Sequence, residues 1–390
     1  MNYKAGSHFL QIPGPSNVPG RILRAIERPT IDHRGPAFQA LAQEALSKIK
    51  PIFKTKQPVV IFPSSGTGAW EAALVNTLSP GDKVLMYETG QFSNLWIELA
   101  TRIGLDPEVI TGDWRHGVAS ESIEERLLKD VNHEIKAVCI VHNETSTGVL
   151  SDVAAVRKAI DTARHPALFL VDTISGLASA DYRHDEWGVD VTITCSQKGL
   201  MLPPGLGFNA ISDKAVLASK SAKLYRSYWD WAAQLTNNPT GNFPYTPATN
   251  LLYGLVEACD MLLEEGLENV IARHERYGEA TRRAVRAWGL DIQCKNPKEC
   301  SPVLTGVVLP DDHDADNLRA VILEKYNMSL GAGLGRIKGK VFRIGHLGDF
   351  SDLMLLGTLS GVEMGLSCAN VPHKKGGVQA AMDFLIGNAG

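Results

Sequence analysis

Long apolar runs are missing from this 390-residue sequence. None approaches the length of a transmembrane helix, and residues 1–7 contain no apolar core of a signal peptide. An excess of one charge is missing too, because the formal net charge is only −4 and both signs are scattered along the chain. These absences argue against a nucleic-acid or membrane partner. Residues 387–390 do not form a peroxisomal address, so we expect a cytoplasmic protein.

Cysteine is scarce as well. The six cysteines include no CxxC pair and no Cys/His spacing of metal ligands, so we expect reduced thiols and no metal site. The remaining composition, 44% hydrophobic and 21% charged residues, is ordinary for a globular protein. A chain of this length exceeds what one hydrophobic core usually holds, which predicts two domains.

The order of predicted elements indicates where these domains divide. Residues 1–20 are rich in proline and glycine and are predicted to form an N-terminal arm. Residues 21–262 alternate short apolar runs with helical patterns, which predicts a large α/β domain with a mostly parallel sheet flanked by helices. In residues 263–390 the pattern of predicted strands and helices changes, which predicts a smaller C-terminal α+β domain.

Three short, unbroken apolar runs recur at the spacing of βα units, at residues 137–141, 167–171 and 189–194. Such runs are typical of buried parallel strands. Polar residues follow each of them, at 142–148, 172–173 and 196–198. Because ligands of parallel α/β sheets bind outside the carboxyl ends of the strands, these residues predict a site at that edge.

Lys198 stands at this predicted edge, close behind the run 189–194 and just before Gly199. A lysine at the mouth of a sheet can lose hydration, which lowers its pKa and makes the amine nucleophilic, as a Schiff-base lysine requires. Taken alone, the stretch favours an ordinary loop lysine, and only the rest of the chain favours the reactive one.

A second candidate site lies where a predicted strand, residues 59–62, runs into the small-residue loop 63–68 and a helix predicted over 70–78. Strand, loop and helix N-terminus together can bind an anion through backbone N–H groups. A tight turn with Ser/Thr caps explains the pattern as well, since no Lys-Ser/Thr follows the glycines as in a Walker loop.

The joint order of several motifs resembles a known family, the class V, fold-type I pyridoxal-phosphate aminotransferases, and within it the alanine– and serine–glyoxylate group. The stretches that carry the resemblance are PGPSN at 13–17, GTGAWE at 66–71, GQFS at 90–93, HNET at 142–145, Asp172, SQK at 196–198, PYTP at 244–247 and VFRIGH at 341–346. Each motif is weak alone, whereas their order and spacing over nearly the whole chain are specific.

The resemblance implies a ping-pong transaminase that uses pyridoxal 5′-phosphate. The enzyme would move the amino group of a small L-amino acid, serine first, to glyoxylate, giving glycine and hydroxypyruvate. Alanine and aspartate remain open as donors. The resemblance also implies a homodimer, or an oligomer built of dimers, with the site at the subunit interface.

The resemblance assigns catalysis to two residues. Lys198 would form the Schiff base with the cofactor and then move the proton between substrate and cofactor. Asp172, at a strand end, would pair with the protonated ring nitrogen, although a helix-cap aspartate fits its position as well.

The resemblance distributes binding roles over further residues. Phe92 would stack on the cofactor ring and Thr145 would bond its hydroxyl region. The phosphate end would be held by Thr67, Gly68, Ala69 and Gln197, and by Tyr245 and Thr246 across the dimer interface. The substrate would be bound by Pro15, Ser16, His33, Arg34 and Arg343.

Arg343 would clamp the α-carboxylate of the substrate with two parallel hydrogen bonds. Its place inside the apolar run 341–344 argues against a surface arginine. Arg34 is the candidate second cation that an aspartate donor would need.

Two departures from the family pattern concern loop shape and donor choice. Gly199 stands where plant relatives tend to carry alanine, and residues 172–175 differ from the usual Asp-Gly/Ala-Val-Ser. Neither departure removes a reacting group. The C-terminus lacks the peroxisomal address of plant and animal relatives, which favours a bacterial cytoplasmic enzyme.

Three other functions were weighed against transamination. A cysteine desulfurase-type lyase would need a nucleophilic cysteine on a mobile loop, and neither Cys294 nor Cys300 has small-residue surroundings. A nicotinamide-dependent oxidoreductase is suggested only by the glycines of residues 331–335, without a preceding strand or βαβ context in the prediction. A cofactor-binding regulator without turnover is the third.

Overall fold

Two β-sheets organise the chain, and helices cover them. A computed structural model describes residues 6–388. Its helices are α1 (Gly20–Ile26), α2 (Pro36–Ile52), α3 (Gly66–Thr77), α4 (Gln91–Arg102), α5 (Ser120–Lys129), α6 (Val153–Thr162), α7 (Asp213–Ser219), α8 (Trp231–Asn237), α9 (Thr249–Glu265), α10 (Leu267–Trp288), α11 (Ala315–Tyr326), α12 (Asp352–Cys368) and α13 (Gly377–Gly387). Its strands are β1 (Phe9–Gln11), β2 (Val59–Ser64), β3 (Lys83–Glu88), β4 (Asp106–Thr111), β5 (Ile135–Val141), β6 (Asn143–Glu144), β7 (Val149–Leu150), β8 (Leu168–Asp172), β9 (Val191–Cys195), β10 (Gly205–Ile211), β11 (Asp291–Ile292), β12 (Leu304–Val308), β13 (Met328–Ala332) and β14 (Val341–Gly345).

The larger sheet has seven strands in the order β2-β10-β9-β8-β5-β3-β4. Strands β4, β3, β5, β8 and β9 run parallel, and β10 runs antiparallel to both of its neighbours. The fold class predicted from the sequence, a mostly parallel sheet flanked by helices, is therefore confirmed.

Burial on both faces explains the unbroken apolar runs of the central strands. Along β8, Leu168 and Leu170 belong to the core on one face, whereas Phe169 and Val171 belong to the core on the other. Period-two alternation of polar and apolar residues is therefore absent, because neither face of this strand meets water.

The prolines and glycines of residues 203–207 predict a break in the chain, so strand β10 is not predicted from the sequence. The break is shorter than expected. Gly205, at φ +148°, begins the returning strand, and Gly207 lies within it. A Cβ on Gly207 would come within 2.9 Å of the backbone oxygen of Ser65, so the glycine permits a close approach rather than a turn.

Two helix boundaries also differ from the prediction. The helix predicted to begin at Trp70 begins at Gly66, so the small-residue loop supplies its first turn. The sequence also predicts helical structure from residue 249 on to residue 287, and the structure divides it at Gly266, whose φ of +84° ends α9 and starts α10.

The smaller sheet has five strands in the order β1-β13-β14-β12-β11. Its own apolar core includes Phe342, Ile344 and Trp288. The N-terminal arm contributes β1, which pairs in parallel with β13 more than 300 positions later. The division at residues 20 and 262 remains a prediction, and residues 1–5 lie outside the described chain. In residues 6–388 no helix has the length and apolarity needed to span a bilayer.

Candidate active site

A cavity of about 160 Å³ lies at the carboxyl edge of the larger sheet, where β5, β8 and β9 end. Six of the residues predicted for the site line it: Thr67, Phe92, Thr145, Asp172, Gln197 and Lys198. They come from five separate segments, and the parallel arrangement of the strands brings them together.

Lys198 stands three residues beyond the end of β9. Its Nζ donates a hydrogen bond to the backbone oxygen of Pro13, at 2.5 Å. Burial lowers the pKa of this amine to about 8, although the nearby carboxylate of Asp172 favours the charged form. The cause is the one predicted from the sequence, loss of hydration at the mouth of the sheet.

Asp172 ends β8 and is 3% exposed. Its Oδ1 accepts from the backbone N–H of Ile174 at 2.7 Å, and its Oδ2 accepts from the indole N–H of Trp70 at 2.8 Å. Burial raises the pKa of the carboxyl to about 7, against the effect of these two donors. Asp172 does not cap a helix, so its charge is available to the cavity.

Glu144 fixes the helix that carries Phe92. Its carboxylate accepts from the backbone N–H groups of Phe92, at 3.3 Å, and Ser93, at 3.1 Å, in the first turn of α4. It also accepts from the backbone and hydroxyl of Ser146, at 3.0 and 2.6 Å. Burial raises the pKa of Glu144. The carboxylate sits at the positive end of the helix dipole and sets the position of Phe92.

Thr145 belongs to a buried hydroxyl and amide network. Its Oγ1 lies 2.7 Å from Oγ of Ser175, which accepts from Nδ2 of Asn143 at 2.7 Å. Oδ1 of Asn143 and Oε1 of Gln197 are buried at the cavity without a hydrogen-bond partner in the described chain. Orphaned polar atoms of this kind indicate a site that a bound polar group completes.

The N-terminus of α3 borders the cavity through Gly66 and Thr67. Ser65 precedes the helix but its side chain makes no capping hydrogen bond, so the positive end of the helix dipole faces the cavity without an internal anion. A Cβ on Gly68 would collide with Oγ of Ser64 and lie 2.8 Å from Trp229. Gly68 and Ala69 therefore shape this turn from behind rather than line the cavity.

Arg343 reaches the site from the smaller sheet. Its Nε donates to the backbone oxygen of Ala332 at 2.7 Å, and Nη1 donates to that of Thr145 at 2.6 Å. Within residues 6–388, Nη2 has no hydrogen-bond partner. Burial lowers the pKa of the guanidinium to about 10, although the carboxylate of Glu144 favours its charge. The backbone thus orients the group and leaves one nitrogen for a ligand.

The N-terminal arm closes over the lysine loop. The hydroxyl of Ser16 donates to the backbone oxygen of Lys198 at 2.9 Å, and its backbone N–H donates to that of Gln197 at 3.0 Å. Pro15 precedes this anchor, and a Cβ on Gly14 would collide with Nζ of Lys198. The arm therefore holds the loop in place and shields it from water.

Four predicted residues do not reach the cavity within this chain. His33 and the exposed Arg34 lie in the turn before α2, where the backbone N–H of Arg34 donates to Asp32. Tyr245 accepts from Gln234 at 2.8 Å through its hydroxyl and stacks on another tyrosine ring, while Thr246 is exposed. Their predicted roles require a second chain and remain predictions.

The cysteine desulfurase-type alternative lacks a reactive cysteine at this cavity. Cys294 and Cys300 both donate to the backbone oxygen of Asn296, at 3.4 and 3.6 Å. Cys300 faces a separate cleft of about 740 Å³ beside α10. Cys195 does line the lysine cavity, but burial raises the pKa of its thiol to about 12, which leaves it unreactive.

The oxidoreductase alternative also lacks its structural context. A strand, β13, does lead into the glycines of residues 331–335, contrary to the prediction. However, a short 3-10 turn (Gly335–Ile337) follows, and the chain returns as the antiparallel strand β14. No helix N-terminus is presented to a pyrophosphate, so the dinucleotide fingerprint is not formed.

Sequence reasoning missed Trp70, Ile174 and Ser146, which hold the charged groups of the site. Trp70 appeared only as part of a motif. The one available signal was its place in the first turns of a helix predicted to begin at an anion site, and that signal does not identify its partner.

Comparison with known proteins gives matches over nearly the whole chain. The family model described as aminotransferase class-V matches residues 11–336. A serine–glyoxylate aminotransferase of Methylorubrum extorquens is 49% identical, covering 98% of this chain and 97% of its own length. An L-aspartate–glyoxylate aminotransferase of Paracoccus denitrificans is 46% identical, covering 95% and 94%. The crystal structure of ureidoglycine–glyoxylate aminotransferase from Bacillus subtilis superposes with a TM-score of 0.91 at 27% identity, covering 99% and 100%. On this evidence the chain belongs to the class V aminotransferase family.

Proposed function

We propose that this aminotransferase moves the amino group of a small L-amino acid, serine first, to glyoxylate. The observation that carries the proposal is that a lysine with a lowered pKa and a buried carboxylate line one cavity. A buried guanidinium, that of Arg343, donates to the backbone oxygen of Thr145, which lines the same cavity. The relatives named for glyoxylate transamination, at 46 to 49% identity, support the acceptor.

Pyridoxal phosphate is the cofactor of the family, and the residues present fit it. The N-terminus of α3, with Thr67 and Gln197, offers an anion site for the phosphate at one end of the cavity. Phe92 offers an aromatic surface for the ring, and Asp172 offers a carboxylate for the ring nitrogen. When bound, the cofactor supplies an electron sink for the negative charge left on the substrate carbon.

Lys198 contributes both a nucleophile and a base. With a pKa near 8, a substantial fraction of the amine is neutral at slightly alkaline pH and can attack a carbonyl carbon. The same nitrogen can then take a proton from the substrate α-carbon and return it at the neighbouring position. The hydrogen bond to Pro13 holds Nζ in place between these steps.

Asp172 and Arg343 contribute fixed charges. Asp172 would keep a proton on the ring nitrogen, since a carboxylate stabilises a cation in a site without water. Arg343 would bind the α-carboxylate that every amino donor and oxo acid of the reaction carries. Thr145 accepts from the guanidinium through its backbone oxygen and lines the same cavity as Asp172.

The choice of serine over aspartate rests on charge. Among the described residues that line the cavity, the only cationic side chain is Lys198. An aspartate donor carries a second carboxylate that needs its own cation, and Arg34 is exposed at a distance from the cavity within one chain. The Paracoccus relative keeps aspartate as the second candidate, with Arg34 of a partner as its counter-charge.

A homodimer is part of the proposal. Tyr225 is 90% exposed and Tyr228 is 43% exposed on the segment that leads to Tyr245. Exposed aromatic side chains in one segment are typical of an interface. In a dimer, Tyr245 and Thr246 would complete the phosphate site of the partner.

The test begins with Lys198→Ala, and Lys220→Ala, an exposed lysine at the end of α7, serves as control. Serine and glyoxylate turnover should fall by several orders of magnitude in the first variant and remain unchanged in the second. Borohydride reduction and peptide mass spectrometry should place the cofactor on Lys198. A panel of amino donors with glyoxylate then ranks serine, alanine and aspartate. An adduct on another lysine, or no transfer to glyoxylate from any donor, would overturn the proposal.

A further inference from the structure

We propose that Trp70 is a positioning residue for Asp172, whose carboxylate it holds in the orientation and charge state that the ring nitrogen of the cofactor requires. The inference rests on the proposed function, because it assumes that Asp172 pairs with that nitrogen. It adds a residue whose side chain acts through Asp172 rather than on the substrate.

The geometry of the contact carries the inference. The indole N–H of Trp70 donates to Oδ2 of Asp172 at 2.8 Å, and the two side chains are 2% and 3% exposed. Trp70 lies on α3 and its ring stacks on that of Trp96 of α4, with centroids 6.0 Å apart and planes 15° apart. Packing between two helices therefore fixes the direction of the N–H bond.

Each oxygen of Asp172 receives one neutral donor. Oδ1 accepts from the backbone N–H of Ile174 at 2.7 Å, and Oδ2 accepts from Trp70. Within residues 6–388, no cationic side chain is hydrogen-bonded or ion-paired to either oxygen. A buried carboxylate without a counter-charge favours its neutral form, and these two donors oppose that effect by stabilising the ionised form. Only one of them, Trp70, can be removed by changing a side chain.

The charged groups around Asp172 do not substitute for this donor. Glu144 raises the pKa of Asp172 and Lys198 lowers it, both more weakly than the two hydrogen bonds do. Tyr182 and Cys195 complete the titratable surroundings, and burial raises the pKa of both, that of Cys195 to about 12. Neither carries a charge near neutral pH.

Trp70→Phe and Trp96→Phe form a matched pair of variants. Both remove one indole N–H from the same stacked pair, but Nε1 of Trp96 is buried and has no hydrogen-bond partner in the described part of the chain. A role in packing alone predicts similar effects for the two. The positioning role predicts an effect on Asp172 from Trp70→Phe alone.

The first measurement uses the full chain without cofactor. Carbon-13 labelling of aspartate, assigned with Asp172→Asn, reports the pKa of the Asp172 carboxyl. Trp70→Phe should raise its proton affinity about tenfold or more, because a hydrogen bond to a charged group is lost, and Trp96→Phe should leave it unchanged. An unchanged titration in Trp70→Phe, or equal shifts in both variants, would overturn the inference.

A second measurement on the unmodified protein covers the case in which Trp70→Phe does not fold. In protein labelled with nitrogen-15 tryptophan, one indole resonance should titrate with the midpoint of Asp172, and Asp172→Asn should abolish that titration. If none of the indole resonances titrates with Asp172, the inference is wrong. Both measurements are independent of turnover, so failure to transfer an amino group to glyoxylate would refute the proposed function without deciding whether Trp70 holds Asp172.

Discussion

Two buried carboxylates stand near each other at the carboxyl edge of the sheet, Glu144 and Asp172, and their surroundings differ. Glu144 is 0% exposed and accepts four hydrogen bonds, three of them from backbone N–H groups. Asp172 is 3% exposed, accepts two, and lines the cavity. Burial raises the pKa of both.

The difference in hydrogen bonding distinguishes a carboxylate that stabilises the fold from one that can act on a ligand. A carboxylate can accept about four hydrogen bonds. Glu144 uses this capacity within the protein and stabilises the start of α4, whereas Asp172 keeps part of it free toward the cavity. Unused acceptor capacity on a buried charge, directed into a cavity, indicates a group that awaits a cationic ligand.

The largest expected difference is in turnover. Asp172→Asn keeps the size of the side chain and removes its charge, so turnover with serine and glyoxylate should fall by on the order of a hundred- to a thousandfold. Steady-state rates at saturating cofactor measure this effect. Glu144→Gln should lose much less turnover per folded molecule. Equal losses in the two variants would contradict the distinction.

A second prediction concerns the pH dependence of stability without cofactor. The pKa of Asp172 rises from 3.8 to about 7 on folding. Between these pH values the carboxyl is mostly protonated in the folded chain and mostly ionised in the unfolded chain. Stability should therefore fall as pH rises from about 4 to about 7, by up to about 4 kcal/mol from this group.

Asp172→Asn should remove that share of the pH dependence. Urea unfolding of the cofactor-free protein at pH 4.5 and 7, for both chains, measures it. Indistinguishable pH profiles for the two chains would mean that the carboxylate is not desolvated as the structure indicates.

The third prediction concerns stability, which should depend more on Glu144 than on Asp172. Glu144→Gln replaces one of the two carboxylate oxygens that accept from backbone N–H groups of α4 by an amide nitrogen, which cannot accept. The change should cost roughly 2–3 kcal/mol of stability. The melting temperature of the variant reports this loss. Glu98→Gln, at an exposed residue of the same helix that pairs with Arg102, is the control and should change stability by about 0.5 kcal/mol or less. A larger loss from Asp172→Asn than from Glu144→Gln would break the comparison.

The smallest effect is expected at Arg343. Like Glu144 it is partly held by the protein, because backbone oxygens accept from two of its nitrogens, and like Asp172 it keeps capacity for a ligand, because its third nitrogen has no partner within residues 6–388. Arg343→Lys should raise KM for serine and glyoxylate together, roughly tenfold to a hundredfold, because the charge-assisted hydrogen bond that Nη2 can donate to the carboxylate is lost. Ping-pong kinetics with each substrate varied in turn measure both constants. A rise in one KM alone would show that Arg343 recognises a side chain instead.

The parts of the site that the sequence predicted lie directly after apolar runs. Asp172, Thr145 and Lys198 could be grouped from sequence because the carboxyl ends of parallel strands meet at one edge. Edge strand β4 was missed because its residues are mostly half-exposed and include Pro107, so no apolar run marks it.

What could not be predicted are the contacts that fix the charged groups. Trp70 and Asp172 are 102 positions apart, and Pro13 and Lys198 are 185 apart. Such pairs depend on how helices and the arm pack on the sheet, and local sequence carries no record of that packing. Motif order located the residues, but only the folded chain shows which of them hold the others.

The pairing of the N-terminal arm has a consequence for how the protein is made. Strand β1 is synthesised before the rest of the two sheets, yet its partner β13 begins at Met328, 317 positions after Gln11. At roughly 5–20 residues per second, the arm waits about 16–63 seconds for that partner. During this time the larger sheet can form, but the segment that covers Lys198 has no edge to join. The lysine loop can therefore be closed only after residues 328–330 have been made.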